Sequence, residues 1–125
     1  MGDLNDDPNK TSCRVVLGAK KDQKDVKPGG YYNTMWSFFD KGIGSLAYQG
    51  SWNLFDQIII SENFLGKDRS TLKFIKAEIF NRDFLKQTEG KYKGYPKRTH
   101  AGGVYLNGYS DHFPTLIYLA KEVNR

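Results

Sequence analysis

The pattern of apolar and polar positions predicts strands from residue 45 onwards. Residues 54–61 (Leu-Phe-Asp-Gln-Ile-Ile-Ile-Ser) and 115–120 (Thr-Leu-Ile-Tyr-Leu-Ala) are rich in β-formers, and residues 72–80 alternate less regularly. A further strand, residues 45–49, is expected to form a hairpin with residues 54–61 through a turn at residues 50–51. These strands, with the helix described next, indicate an α+β domain.

A helix is predicted near the start of the chain. Asp7 is a favourable N-cap residue, and Pro8 suits the first helical position because its missing N–H would have no partner there. Apolar positions continue through Cys13 and Leu17, so the helix is expected to run to about residue 20. Cys13 is the sole cysteine, which excludes an internal disulfide and favours a buried thiol.

The segments between these elements are predicted to be loops and short turns. Residues 20–30 are charged and end in Pro-Gly-Gly, which is typical of a surface loop. Residues 31–39 are rich in aromatic side chains without a clear period, and indicate an irregular segment or a short helix. Residues 81–87 favour a short helical turn, whereas residues 88–103 form a basic, glycine-rich loop.

Length and composition are those of an ordinary globular protein. The chain has 125 residues, enough for one domain with a core, and 26% of them are charged. No apolar run approaches the roughly 18 residues that a membrane-spanning helix needs, and no His or Cys cluster has zinc spacing. The formal net charge of +5 favours polyanionic partners without identifying one.

The predicted strand 54–61 carries an acid among apolar residues. By alternation Asp56 shares a face with Leu54, Ile58 and Ile60. A carboxylate on an apolar face needs a hydrogen-bond or charge partner. A loop N–H would satisfy it, and so would a basic side chain from elsewhere.

The turn before the last strand is the second place with candidate chemistry. Residues 108–114 read Gly-Tyr-Ser-Asp-His-Phe-Pro, so Asp111 and His112 are adjacent at the mouth of the sheet. Pro114 is tolerated there because the first residue of a strand need not donate to the ladder. An ordinary polar turn has the same composition, so the turn alone does not establish a site.

The opening run, Gly-Asp-Leu-Asn-Asp-Asp-Pro, is the third candidate. Asp3, Asn5 and Asp7 match the first three ligand positions of a calcium-binding EF-hand loop. That loop requires Gly at its sixth position and Glu at its twelfth, where this chain has Pro8 and Arg14, so an EF-hand is excluded. An Asx turn before a helix and a functional Asp3–Asn5 pair both remain open.

Taken in chain order, these three stretches resemble the endonuclease/exonuclease/phosphatase superfamily, which includes deoxyribonuclease I, abasic-site endonucleases and neutral sphingomyelinases. The resemblance covers nearly the whole chain. It is nearest to bacterial members, because residues 48–52 read Tyr-Gln-Gly-Ser-Trp and residues 96–99 read Pro-Lys-Arg-Thr. Related bacterial proteins are often exported, although the sequence itself predicts no compartment.

The resemblance implies a deoxyribonuclease I-like fold, a four-layer α/β sandwich of two packed mixed sheets flanked by helices. The chain matches only the second half, so residues 1–125 are expected to be the C-terminal part of one such domain. The Asn and Glu of the superfamily's early motifs have no counterpart here. We therefore expect weak metal binding, hydrolysis near background, and either self-association or marginal stability through an unpaired sheet edge.

The resemblance also implies a chemistry, the hydrolysis of a phosphate ester by an activated water with Mg²⁺ or Mn²⁺ bound. Asp3 would orient or deprotonate the water, and Asn5 would hydrogen-bond a phosphate oxygen. Asp111, together with Asp3, would lie at the metal. His112 would stabilise the developing charge, with Asp56 as the carboxylate that orients it.

Two further residues are candidates for substrate binding. Arg98 has a planar group suited to a phosphate, and Tyr109 lies in the candidate turn, but a solvated arginine and a rim tyrosine are alternatives. The substrate class stays open among nucleic acid, lipid, and sugar or inositol phosphates. A different function is nucleic-acid binding without turnover by the basic loop, and a third is a structural piece that needs its other half. The basic loop carries Lys91, Lys93, Lys97 and Arg98.

Overall fold

A computed structural model describes residues 1–124. Within that range the chain has one α-helix, α1 (Trp36–Asp40), a π-helical turn at Ser12–Val16, and 3-10 turns at Gln23–Asp25, Glu62–Phe64 and Asp83–Leu85. No helix of this part is long and apolar enough to cross a membrane. The strands are β1 (Gly2–Asp3), β2 (Tyr31–Asn33), β3 (Leu46–Tyr48), β4 (Ser51–Asn53), β5 (Asp56–Gln57), β6 (Ile59–Ser61), β7 (Lys73–Ile79), β8 (His100–Ala101), β9 (Val104–Tyr105) and β10 (Thr115–Ala120).

These strands pair antiparallel in twos: β1 with β5, β2 with β6, β3 with β4, β7 with β10, and β8 with β9. The predicted α+β class is therefore confirmed. The longest pair joins β7 to β10, with Thr115 opposite Ile79 and a register shift between Tyr118 and Leu119. It confirms the two strands that were predicted at residues 72–80 and 115–120, and the 3-10 turn after β7 confirms the predicted helical turn.

The core lies between the strand pairs and includes the residue that follows His112. Its largest fully buried apolar side chains, Met35 and Leu54, have none of their surface exposed, and Phe113 has 2%. Phe113 also stacks on Trp52, with ring centroids 6.0 Å apart. The candidate turn is thus fixed in the core by a large aromatic side chain. The other core members are Tyr32, Ile58, Ile60 and Ile79.

The predicted helix from Asp7 to residue 20 is wrong. Asp7 is buried, and its carboxylate accepts hydrogen bonds from the Leu54 N–H at 2.7 Å and the Asn53 side-chain amide at 2.9 Å. Helical structure is limited to Ser12–Val16, which contains the buried Cys13 as expected. The Leu54 N–H and the Asn53 amide occupy both oxygens of the carboxylate, so neither oxygen is left to cap a helix.

The predicted hairpin has a different second strand. β3 pairs with β4, so that Tyr48 lies opposite Ser51. Gln49 and Gly50 form the turn, and both have positive φ, 48° and 86°. A two-residue turn of this kind matches the twist of the flanking strands and fixes their register. Residues 54–61 are consequently free to divide into β5 and β6, which pair with β1 and β2.

Two loop regions contain more structure than the sequence indicated. Residues 31–39 begin with the unpredicted strand β2 and continue, after a break, into α1, which confirms the short-helix alternative for this segment. The basic loop ends in a hairpin, with β8 and the turn residues Gly102 and Gly103 inside the loop and β9 directly after it, and both turn residues have positive φ. Residues 20–30 are a loop with one 3-10 turn, as predicted.

Candidate active site

Two aspartates face each other across the β1–β5 pair. Asp3 lies directly opposite Asp56. The Leu4 N–H donates to the Phe55 carbonyl at 2.8 Å, so the neighbouring Asp3–Asp56 pair is a non-hydrogen-bonded one, in which side chains come closest and share a face. Like charges in this arrangement repel unless a cation or a hydrogen-bond donor lies between them.

His112 supplies a hydrogen-bond donor to one of the two, Asp56. Its Nδ1 lies 2.7 Å from Asp56 Oδ2, and the two side chains are 24% and 20% exposed. Because a carboxylate only accepts hydrogen bonds, Nδ1 carries the hydrogen and Nε2 is the nitrogen available to a ligand. The predicted contact between Asp56 and His112 is confirmed, and it identifies the partner of the acid in the apolar strand.

Ser45, which the sequence analysis did not single out, completes this group. It is fully buried, immediately before β3, and its hydroxyl donates to Asp56 Oδ2. The same carboxylate oxygen therefore accepts from both Ser45 and His112. The sequence signal for this role is weak, because a serine at the start of a strand has no distinguishing neighbour along the chain.

The Asp56–His112 pair lines an open pocket of about 260 Å³. Tyr109 forms part of its wall and is 74% exposed, with its ring perpendicular to that of Phe84 at a centroid distance of 5.9 Å. A ligand in this pocket would meet the hydrogen-bonded Asp56–His112 pair and an aromatic surface together. The remaining lining residues are Leu85, Ser110, Phe113 and Pro114.

The loop after β1 is held in place from two directions. Asn5 has a positive φ of 52°, and its N–H donates to Asp3 Oδ1 at 2.9 Å, which is an Asx turn. The side-chain amide of the buried Gln57 donates to the Asp6 carbonyl, while Asn33 donates to Gln57 Oε1 at 2.7 Å. The Asx turn that the sequence left open is present, and it leaves the second carboxylate oxygen of Asp3 available.

The model of one protein family, described as the endonuclease/exonuclease/phosphatase family, matches residues 1–121. The chain belongs to this family. Neither the comparison with curated proteins nor that with solved structures gave a match. Members of the family are in general metal-dependent phosphoesterases or nucleases that hydrolyse ester bonds.

The donor atoms near the pocket fit the divalent metal that the endonuclease/exonuclease/phosphatase family generally uses. One ligand atom each from Asp3, Asp56 and His112 lies within 4.8 Å of the others. A cation beside the two opposed carboxylates would relieve their repulsion. Asp3 is exposed and suits Mg²⁺ or Mn²⁺, because such ions prefer carboxylate oxygens and Mg²⁺ keeps several waters while it takes one or two carboxylates.

Asp111 and Arg98 are not brought into this three-residue group. Asp111 is exposed in the bend beside His112 and contributes no atom to the three-residue group. Arg98 is exposed as well, but its carbonyl accepts the Gly108 N–H at 3.2 Å, which attaches the basic loop to the candidate turn. The metal role of Asp111 and the phosphate-binding role of Arg98 stay predictions.

Gly108 permits this attachment. A Cβ atom at that position would lie 1.9 Å from the Lys97 carbonyl oxygen and 2.4 Å from that of Arg98. Any other residue would therefore push the two segments apart. Thr99 adds a further link, because its hydroxyl donates to the Gly108 carbonyl at 3.0 Å.

Proposed function

We propose that this chain provides Asp3, Asp56 and His112 for the hydrolysis of a phosphate ester by an activated water, with Mg²⁺ or Mn²⁺ bound. The observation that carries the proposal is the convergence of these three side chains from distant parts of the chain: Asp56 and His112 line one open pocket, and an Asp3 oxygen lies within 4.8 Å of their ligand atoms. Simple binding of a polyanion would not require two opposed carboxylates and an oriented imidazole.

The two carboxylates would have separate tasks. Asp3 is exposed and keeps an oxygen free, so it would orient the attacking water and accept its proton. Asn5, two residues further on, would donate its side-chain amide to a phosphate oxygen. Asp56 is committed to Ser45 and His112, so it would act on the substrate only through the imidazole.

His112 would stabilise the charge that develops on the phosphoryl group. With Nδ1 held by Asp56, the ring orientation is fixed and Nε2 would donate to a phosphoryl oxygen. The metal ion, when bound, would supply Lewis-acid neutralisation of the same oxygens. Asp111 would be a further ligand of the metal ion. Tyr109 would contact the substrate.

An assay of two forms of the protein tests this proposal. Hydrolysis of bis(p-nitrophenyl) phosphate and of p-nitrophenyl phosphate, with Mg²⁺ or Mn²⁺, would be measured for this chain and for the longest natural product of its gene. We expect metal-dependent hydrolysis in the longest natural product. The active form below is that product, or this chain itself if the two are the same. The absence of hydrolysis in both forms with every metal and ester would contradict the proposal.

The finer fold assignment also belongs to the proposal. It places the chain in the C-terminal half of a deoxyribonuclease I-like four-layer sandwich of the bacterial type, and it includes the expected self-association. The support is the match of β1, β5 and the final turn to the three motifs, in order. Sedimentation velocity of the chain would test the association, and a concentration-independent monomer that hydrolyses the ester would contradict the half-domain assignment.

A second candidate, nucleic-acid binding by the basic loop, is favoured by the bond between Arg98 and Gly108. That bond places the end of the loop next to the exposed Tyr109. Lys91 and Lys93 are exposed in the same loop. A nucleic-acid strand lying on these cations would therefore reach the pocket, and nucleic acid is one candidate substrate of the proposed hydrolysis.

Replacement of all four loop cations by glutamine is expected to weaken DNA binding and flatten its salt dependence. Each lost phosphate contact removes about 0.9 from the slope of log K against log salt for duplex DNA, and about 0.7 for single strands. Fluorescence anisotropy over a salt series measures this. The matched control replaces Lys10, Lys20, Lys24 and Lys27 elsewhere in the chain, and an equal loss in both variants would contradict a role of this loop.

A further inference from the structure

We infer that Ser45 is the positioning residue that assigns Asp56 to His112 and keeps it from Asp3 and from a bound metal. The inference rests on the proposed function of these three residues. Ser45 is fully buried, and its hydroxyl donates to the Asp56 oxygen that lies 2.7 Å from His112 Nδ1. One carboxylate oxygen is thus held by two donors from different parts of the chain.

The backbone of Ser45 joins the same two segments. Its N–H donates to the Asn53 carbonyl at 2.9 Å, and its carbonyl accepts the Phe113 N–H at 2.7 Å. Phe113 is the residue that follows His112, so Ser45 fixes both the acid and the backbone that carries the imidazole. A rotation of Asp56 would break its bond to the Ser45 hydroxyl. A shift of the turn would break the bond between the Phe113 N–H and the Ser45 carbonyl.

The serine itself has little freedom to move. A Cβ on the preceding Gly44 would lie 2.4 Å from the Asn53 carbonyl oxygen, so the backbone at this point packs directly against the end of β4. The hydroxyl is therefore presented from a rigid support. Rigid support matters because a hydrogen bond from a mobile group would not select one orientation of the carboxylate.

Asp56 needs such a restraint because a competing attraction lies opposite it. Asp3 faces it across the strand pair, and any cation bound at Asp3 would also attract the Asp56 carboxylate. Without the hydroxyl, Asp56 would be free to turn toward that cation, and the imidazole would lose its partner. Ser45 thus leaves Asp3 to act on the metal and the water, while Asp56 stays bonded to the imidazole of His112.

The first test compares kinetics in the active form. Ser45→Ala is expected to lower kcat by about 10–100-fold, the usual effect of removing a group that orients a functional side chain, with KM changed by less than about twofold. Ser51→Ala is the matched control, because Ser51 is an exposed serine in the neighbouring strand β4. We expect its kcat to equal that of the unmodified protein.

The second test reads the imidazole directly and needs no turnover. The chain has two histidines, and the exposed His100 is an internal reference in ¹H–¹⁵N spectra of the ring nitrogens. In the unmodified chain His112 should show a protonated Nδ1 with a slowly exchanging hydrogen. In Ser45→Ala this signal should be lost and the His112 ring nitrogens should approach those of His100.

The two readouts separate the possible failures. A changed His112 spectrum in a protein that hydrolyses no ester would uphold the positioning role and contradict the proposed function. An unchanged spectrum together with unchanged kcat would overturn the positioning role. If Ser45→Ala does not fold, Ser45→Cys, which keeps the size but donates only weakly, carries both measurements with the same expected outcomes.

Discussion

His112→Ala is expected to lower kcat/KM of the active form by about 10²–10³-fold, the effect of removing one preorganised donor from the developing charge of a transition state. The fold should stay intact, because the side chain is 24% exposed and its hydrogen bond is to another site residue. The same assay on p-nitrophenyl esters measures the change. Circular dichroism and the melting temperature check the fold.

Two companion variants make the His112 result specific. His100→Ala removes the other, exposed histidine and should leave the rate unchanged. Asp56→Asn should lower the rate too, but its effect combined with His112→Ala should be no greater than that of His112→Ala alone, since Asp56 acts through the imidazole. Near-normal rates for His112→Ala, or additive losses in the double variant, would remove this assignment.

Asp3→Asn is expected to lower the rate by about 10²–10⁴-fold, the range for a general base that takes a proton from the attacking group. Asparagine keeps an oxygen that can accept the Asn5 N–H, so the Asx turn is retained while the charge is lost. The same change should weaken Mn²⁺ binding, because one carboxylate is removed from the donor group. Isothermal titration with Mn²⁺ measures that second effect independently of turnover.

The chain contains a closely matched control for this variant. Asp68 is also exposed and also makes an Asx turn, accepting the Ser70 N–H at 2.9 Å, but it lies outside the donor group. Asp68→Asn should therefore leave both the rate and the Mn²⁺ affinity unchanged. Equal losses in the two variants would show that a general loss of negative charge, and not the position of Asp3, is responsible.

The sequence allowed the main strands and one contact of the site to be predicted. Strands β7 and β10 contain enough β-forming residues to be recognised locally, although β7 alternates only imperfectly, and they pair over most of their length. The contact between Asp56 and His112 was predicted from an acid on an apolar strand and the family's motif order together. Neither observation alone would have paired two residues 56 positions apart.

The errors arise where long-range hydrogen bonds outweigh local preference. Asp7 followed by Pro8 has the composition of a helix start, yet its carboxylate binds the Leu54 N–H, 47 residues away. The turn of the hairpin was predicted one residue too late for a local reason. Gln49 adopts a positive φ, which is uncommon for glutamine and could not be predicted from the sequence. Ser45 could not be recognised because the predicted hairpin paired residues 45–49 with the wrong strand. The contact between Ser45 and Asp56 of β5 therefore did not follow from the prediction.

The buried amide of Gln57 and the carboxylate of Asp7 tie the first loop to the core across 51 and 47 positions of sequence. Closing loops of this length is unfavourable in entropy and is compensated only when the distant strands are already in place. The first loop is therefore expected to dock only after the segment around β5 has formed. Strand β1 has only two residues, both exposed, so we expect it to open on heating before the longer β7–β10 pair; inactivation should then precede the loss of that pair, and hydrogen exchange would resolve the two steps.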